Sequence, residues 1–187
     1  AEWFEWEDKN LSNEDRRGLF VTLKGDKIVL ADADTKYLFG IVSACPAFAG
    51  NSYEDSWNEK YLKDVFGEII YEDYVIPAET ATITNKEGKE EEIIVRPERT
   101  AKRPVLNPDY DATQEYIPRS ERPEWSYVSS KGRLVMVDDG TCVVDSYCKP
   151  MSGGIATASN TVTAFRVLKR IDKTHILVWA DGVTVLD

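Results

Sequence analysis

Arg133-Leu-Val-Met-Val137 leads into Asp138-Asp139-Gly140 and then Thr141-Cys-Val-Val144, a short apolar run, a turn and a second apolar run. The alternation continues downstream. Lys149-Pro-Met-Ser-Gly-Gly154 reads as a loop, and Ala164-Phe-Arg-Val-Leu-Lys169 and His175-Ile-Leu-Val-Trp179 flank a turn at Asp172-Lys173. Short runs rich in Val, Ile and Leu between Asp, Gly and Lys turns are strands rather than helices. At this spacing they predict a mainly β fold, a compact barrel or sandwich of short antiparallel strands.

The upstream half extends the pattern with two interruptions. Gly18-Leu-Phe-Val-Thr-Leu-Lys24 and Lys27-Ile-Val-Leu-Ala31 form a hairpin around Gly25-Asp26, a two-residue turn with Gly first. Tyr37–Cys45 reads as a buried strand bounded by Pro46, and Ile69–Ala78 as another. Thr80–Thr84 and Glu91–Val95 pair around Asn85-Lys-Glu-Gly88. The first interruption is an α-helix near 53–66, with Trp57, Tyr61 and Val65 at four-residue steps, Ser52 as cap and Gly67 as stop. The second is the segment 96–125, with Pro97, Pro104, Pro108, Pro118 and Pro123. It reads as an extended, ordered strap within a single domain spanning 1–187.

Residues 2–7 alternate acid and aromatic: Glu2, Trp3, Phe4, Glu5, Trp6, Glu7. Strand alternation puts Phe4 and Trp6 on one face. So many aromatics in one short stretch predict that it docks rather than trails in water.

Composition narrows the chemistry. With 42% hydrophobic and 30% charged residues, the 187-residue chain can bury a core. A net charge of −10 argues against nucleic acid as a partner. No apolar run is long enough to span a membrane. The three cysteines, Cys45, Cys142 and Cys148, suggest reduced thiols. Cys142 and Cys148 are spaced either to pair or to serve a metal, but with a single histidine, His175, no metal site is predicted. No Gly-x-Ser-x-Gly elbow or phosphate loop occurs. Ser152-Gly153-Gly154 reads as a loop before an anion nest, and His175 as a strand residue before a catalyst. Thirty-three acidic residues supply carboxylates in excess, and composition selects none of them.

A series of local signatures carries a resemblance. It comprises Glu2-Trp-Phe-Glu-Trp-Glu7, Asn13-Glu-Asp-Arg16, Gly18-Leu-Phe-Val-Thr-Leu23, Leu38-Phe-Gly-Ile-Val-Ser43 and Gly50-Asn51-Ser52, with Trp57, Lys60-Tyr61 and Phe66-Gly67. Arg103-Pro-Val-Leu-Asn-Pro-Asp-Tyr110, Tyr116-Ile-Pro-Arg-Ser-Glu-Arg-Pro-Glu-Trp125, Asp139-Gly-Thr-Cys142 and Gly154-Ile-Ala-Thr-Ala-Ser159 complete it. In this order they resemble the intramolecular-chaperone autoproteolytic cleavage domain of phage pre-neck appendage and tail-spike proteins, a glutamic peptidase type.

The resemblance implies the C-terminal domain of a homotrimer, attached to an upstream β-helical fibre of the same polypeptide. It implies a phage virion precursor assembled in the bacterial host cytoplasm, and release of the domain by self-cleavage just upstream of Ala1. The family cuts before an Asp-Tyr-Ala-Glu motif, of which Ala1-Glu2 remain, so Glu2 maps onto the catalytic carboxylate. Such a Glu is held near the bond by covalent connection, and burial against Trp3, Phe4 or Trp6 would raise its pKa. Asn51, an amide in a Gly-Asn-Ser turn, is the candidate second catalytic group, against a plain turn role. No cofactor is predicted; a nucleotide used in assembly stays open, with no motif to place it. The alternatives are a non-catalytic trimerisation cap, or a fibre-tip module binding host glycans through Trp125, Tyr110 and Tyr116.

Overall fold

A computed structural model of the chain describes residues 1–51, 60–115 and 117–185. Two compact units divide it, one built from residues 1–52 and 117–187, the other from 53–116.

In the first unit, β1 (Glu2–Glu5), β2 (Phe20–Lys24), β3 (Lys27–Leu30), β4 (Tyr37–Leu38) and β5 (Gly40–Ser43) come early in the chain. In the second unit follow β6 (Tyr71–Ile76), β7 (Glu79–Thr84), β8 (Glu90–Arg96) and β9 (Arg99–Pro104). The first unit resumes with β10 (Trp125–Ser129), β11 (Lys131–Val137), β12 (Tyr147–Pro150), β13 (Ala156–Ser159), β14 (Phe165–Arg170), β15 (His175–Asp181) and β16 (Thr184–Val185).

Two five-stranded sheets form the first unit, ordered β1-β10-β5-β2-β3 and β11-β15-β14-β12-β13, all their pairings antiparallel. The edges of the first sheet meet where Trp6 bridges Ile28 and the Glu7 N–H donates to Ile28 O at 3.0 Å. One face of that sheet encloses Trp6, Val21, Ile28, Val42 and Val128, with Phe4 and Phe39 packed beside them. Its other face packs Phe20 and Ile41, with Leu38 of β4, against Met136, Phe165, Val167, Ile176 and Val178 of the second sheet. Phe20 and Phe165 meet edge to face at 4.8 Å. Both faces being covered explains why these strands are almost continuously apolar. Each large side chain so buried contributes about 1.5–3 kcal/mol.

The expected hairpin at Gly25-Asp26 is present: Lys24 pairs Lys27, and Gly25 takes φ 65. Gly40 cannot be replaced without strain, because a Cβ there would lie 2.7 Å from Ser129 O on β10. The acidic-aromatic stretch docks as expected. Phe4 packs edge to face on Phe39 at 4.8 Å, and Trp6 is buried with its indole N–H on Ser126 Oγ at 2.9 Å. The loop after it is locked by Arg16, which forks onto Asp8 at 2.9 and 2.7 Å and lies over the Trp6 ring at 4.5 Å.

Three expectations are corrected. The helix near 53–66 is not formed where it can be seen, and there is no α-helix among the described residues; 53–59 lie outside them. Tyr61 bridges Leu106 and Lys63 bridges Ile69, and residues 64–67 turn instead. Asp64 accepts the N–H groups of Phe66 and Glu68, both at 2.9 Å, and Gly67 takes φ 85. Local side-chain bonding of this kind competes with a helix, and Val65, one of the three positions of the expected stripe, is 94% exposed. The strap 96–125 is extended in only part of its length as an unpaired segment, since Arg99–Pro104 is β9, paired with β6. Thr141–Val144 is not a strand: the Cys142 N–H turns to the Asp138 carboxylate at 3.2 Å, and Asp145 takes φ 67.

In the second unit, β7 pairs β8 around a turn in which Asn85 Oδ1 accepts the N–H groups of Glu87 and Lys89 at 3.0 Å. The strand expected at 69–78 is β6, and β9 is its partner.

Candidate functional site

β1 lies at the edge of its sheet, with β10 on one side. Along its other side runs Gly50-Asn51. The Gly50 N–H donates to Ala1 O at 2.9 Å, and the Trp3 N–H to Gly50 O at 3.3 Å, a parallel bridge between Glu2 and Gly50. Asn51 then turns at φ 53, a left-handed conformation that Asn tolerates. Its Nδ2 donates to Trp3 O at 3.4 Å. An amide nitrogen carries two N–H donors, so this bond occupies only one. Arg119 donates to Asn51 O and lies over the Trp125 ring at 4.0 Å.

The two candidates, Glu2 and Asn51, therefore come together, with the second holding the strand that carries the first. They line a cleft of about 220 Å³ with Glu5, Asp26, Lys27 and Trp125. Lys27 Nζ lies 2.8 Å from Glu5 Oε1, and that hydrogen bond raises the Lys27 pKa, so the ammonium is secure. The expected burial of Glu2 is absent: Glu2 is exposed, while Trp3 beside it is buried and stacked on Tyr127 at 3.7 Å. A carboxylate, an amide and an ammonium around one cleft are a set able to move a proton and to stabilise an oxyanion.

Residue spacing did not reveal Lys27, Glu5 or Arg119. Lys27 reaches the cleft because Trp6 bridges Ile28, a pairing with no local signature.

Other candidates have structural roles. His175 opens β15, with its Nδ1 2.9 Å from Asp172 Oδ1 across the turn. Gly154 packs on Phe20, whose carbonyl a Cβ would approach to 2.6 Å. Cys142 and Cys148 are buried free thiols with no disulfide between them, and Cys45 is an exposed one. The Cys142 contact first, then burial, pushes the Cys148 thiol pKa up. Trp125 and Tyr110 are half-buried, Trp125 beneath Arg119, and Tyr116 lies outside the described residues. Among the described residues no three His, Cys, Asp or Glu side chains converge as metal ligands, and no helix is long and apolar enough to cross a membrane.

A two-sheet β domain with this polar cleft on its first strand is a frame on which the chain could act upon its own backbone. The model of the Peptidase_G2, IMC autoproteolytic cleavage domain matches residues 1–175, and the chain belongs to that family of self-cleaving peptidase domains. It is 32% identical over 160 residues to the preneck appendage protein of Bacillus phage PZA, covering 86% of this chain and 16% of that protein. It is 32% identical over 157 residues to the pre-neck appendage protein of Bacillus phage phi29, covering 84% and 16%. A phage-related protein of Bacillus subtilis (strain 168) is 32% identical over 154 residues, covering 81% and 16%. The chain thus spans 16% of the length of these curated relatives. Among solved structures, the C-terminal fragment of bacteriophage phi29 gene product 12 superposes with a TM-score of 0.67 at 28% identity, over 97% of this chain and 99% of that one. The pre-mature form of gene product 12 gives 0.60 at 29% identity, over 100% of this chain and 21% of that one.

Proposed function

We propose that this chain is the C-terminal intramolecular chaperone of a trimeric phage or prophage tail appendage. In this reading it promotes trimerisation and folding of an upstream β-helical fibre and is then released by cutting just upstream of Ala1. The virion precursor assembles in the host cytoplasm. The peptidase is of the glutamic type, with Glu2 as its carboxylate and Asn51 as the amide that stabilises the oxyanion.

The observation that carries the reading is the backbone bridge between Gly50 and the strand Ala1–Trp3, which puts Glu2 and Asn51 in one cleft. The Ala1 nitrogen donates to Phe48 O at 3.0 Å, which holds the start of this strand along the same segment. Covalent attachment supplies Glu2 at high effective concentration. It takes a proton from the attacking water, and returns one to the leaving nitrogen, that of the Asp two residues upstream of Ala1, as the carbonyl–nitrogen bond breaks. The exposure of Glu2 in this chain fits a site that upstream residues or a neighbouring subunit complete.

The test is a precursor carrying upstream fibre sequence, with product masses read by mass spectrometry. The parent is expected to give a fragment starting at the Asp two residues upstream of Ala1, while Glu2→Gln and Glu2→Ala stay full length. Asn51→Ala should slow the cut by about 10²–10³-fold, the usual loss of one oxyanion donor. Normal processing of both Glu2 variants removes Glu2 from the mechanism.

A further inference from the structure

Arg119 links the candidate amide to the strand that pairs with β1. It opens a short 3₁₀ turn, Arg119–Glu121, directly after Pro118. The Glu121 N–H donates to Pro118 O at 2.9 Å and the Arg122 N–H to Arg119 O at 3.2 Å. The Trp125 N–H then donates to Arg122 O at 3.1 Å, where β10 begins. The proline sets the entry to the turn and these bonds fix the backbone beneath Arg119.

The side chain makes two contacts. Its guanidinium lies over the Trp125 ring at 4.0 Å and donates to Asn51 O. Asn51 Nδ2 in turn donates to Trp3 O at 3.4 Å. Trp3 pairs with Tyr127, and Glu5 with Trp125, in the β1–β10 ladder. The contacts therefore close a ring from Trp125 through Arg119, Asn51 and Trp3, and back through the ladder to Trp125.

Asn51 stands in the left-handed region at φ 53. A non-glycine residue persists there when its surroundings over-determine it. The Gly50 bridge fixes the residue before it, and Arg119 fixes its carbonyl. A different backbone conformation at Asn51 would carry the carbonyl away from Arg119 and re-aim the side-chain amide. Trp125 is kept for its face: its indole N–H is buried with no acceptor, a state that costs stability. A planar guanidinium stacks on such a face, and a lysine ammonium does not.

We infer that Arg119 is a positioning residue of the self-cleavage reaction: stacked on Trp125, it holds Asn51 O and so aims the Asn51 amide, touching no reacting atom itself. The inference rests on the assignment of Asn51 as oxyanion donor above, and adds the group that presents it.

The precursor carrying upstream fibre sequence tests it, with the rate of cutting followed by mass spectrometry. Arg119→Ala should slow the cut about 10²-fold, the loss expected from a small misplacement of a catalytic group. Arg119→Lys should be nearly as slow, because it keeps the charge and loses the planar stack. Trp125→Phe keeps an aromatic face and should stay within about threefold of the parent. The deciding measurement is the double variant: Arg119→Ala with Asn51→Ala should cut no more slowly than Asn51→Ala alone, since one residue acts through the other. A merely structural role would multiply the two losses. Circular dichroism reports folding, and if Arg119→Ala does not fold, Arg119→Lys takes its place in the cycle. Arg119 variants that cut at the parent rate while Asn51→Ala is slow, or a double variant slowed by the product of the single losses, overturn this inference and leave the Asn51 assignment standing. Asn51→Ala cutting at the parent rate overturns both.

Discussion

Asp138 and Arg170 form the most consequential ion pair of the first unit. The Asp138 side chain is 0% exposed, and its two oxygens meet Arg170 at 3.0 and 2.8 Å. Burial works against its ionisation, but the Arg170 hydrogen bonds and the N–H groups of Cys142 and Gly140 outweigh it, and the net pKa is lowered. Arg170 also donates to the carbonyls of Cys142 and Asp172, at 2.6 and 3.1 Å, tying the turn after β11 to the β14–β15 turn. A carboxyl depressed in the folded state adds stability above its unfolded pKa of about 4, and that stability is lost as pH falls through the folded value. Asp8, held down by Arg16, acts in the same direction. Urea midpoints should therefore be level near neutrality and fall as the solution is acidified below about pH 4. Asp138→Asn leaves Arg170 without its counter-charge and should cost about 3 kcal/mol at pH 7, with a flatter acid limb. A variant with the parent midpoint and acid limb would show that the pair is not a structural pin.

At the scale of single elements, Gly154 and Gly153 separate a contact from a conformation. Both have positive φ, 74 and 76. A Cβ on Gly153 meets open space, whereas one on Gly154 lies 2.6 Å from Phe20 O, a backbone atom of β2. Gly153→Ala should cost about 1 kcal/mol of left-handed strain. Gly154→Ala adds a clash between the sheets and should cost about 1–3 kcal/mol more by chemical denaturation. Equal losses would mean that β2 yields at no cost. The same distinction explains what was readable in advance. Gly25-Asp26 announced its hairpin, and Asn85 to Gly88 theirs, because turn chemistry is local. The helix near 53–66 rested on three aromatic or aliphatic positions, and Asp64 with Gly67 redirected its latter part into a turn. The pairing of β1 with β10, whose partners Glu2 and Val128 are far apart in sequence, has no local mark. The cleft therefore stayed half-visible: resemblance pointed to Glu2, turn chemistry singled out Asn51, and the arrival of Lys27 and Arg119 depended on strand pairings.

For the molecule as a whole, the sequence insertion of 53–116 into the first unit is the central fact. Both apolar clusters lie entirely in the first unit, and so does the cleft with Glu2, Asn51 and Lys27. The two points where the chain leaves and re-enters that unit are close, because Arg119 donates to Asn51 O. A short Gly-Ser linker can therefore replace residues 53–116 without stretching either sheet. The shortened chain should unfold in one cooperative transition, since it keeps both cores and all pairings from β1 to β5 and β10 to β16. On the homotrimer proposed above, it should be monomeric if the second unit carries the contacts between copies. Attached to upstream fibre sequence, it tests whether assembly gates the cut. Glu2 and Asn51 remain, yet processing should fall well below the parent rate and should not recover on concentration. A folded, monomeric, shortened precursor that cuts at the parent rate would show that one copy of the first unit is a complete peptidase, and that the trimer serves folding alone.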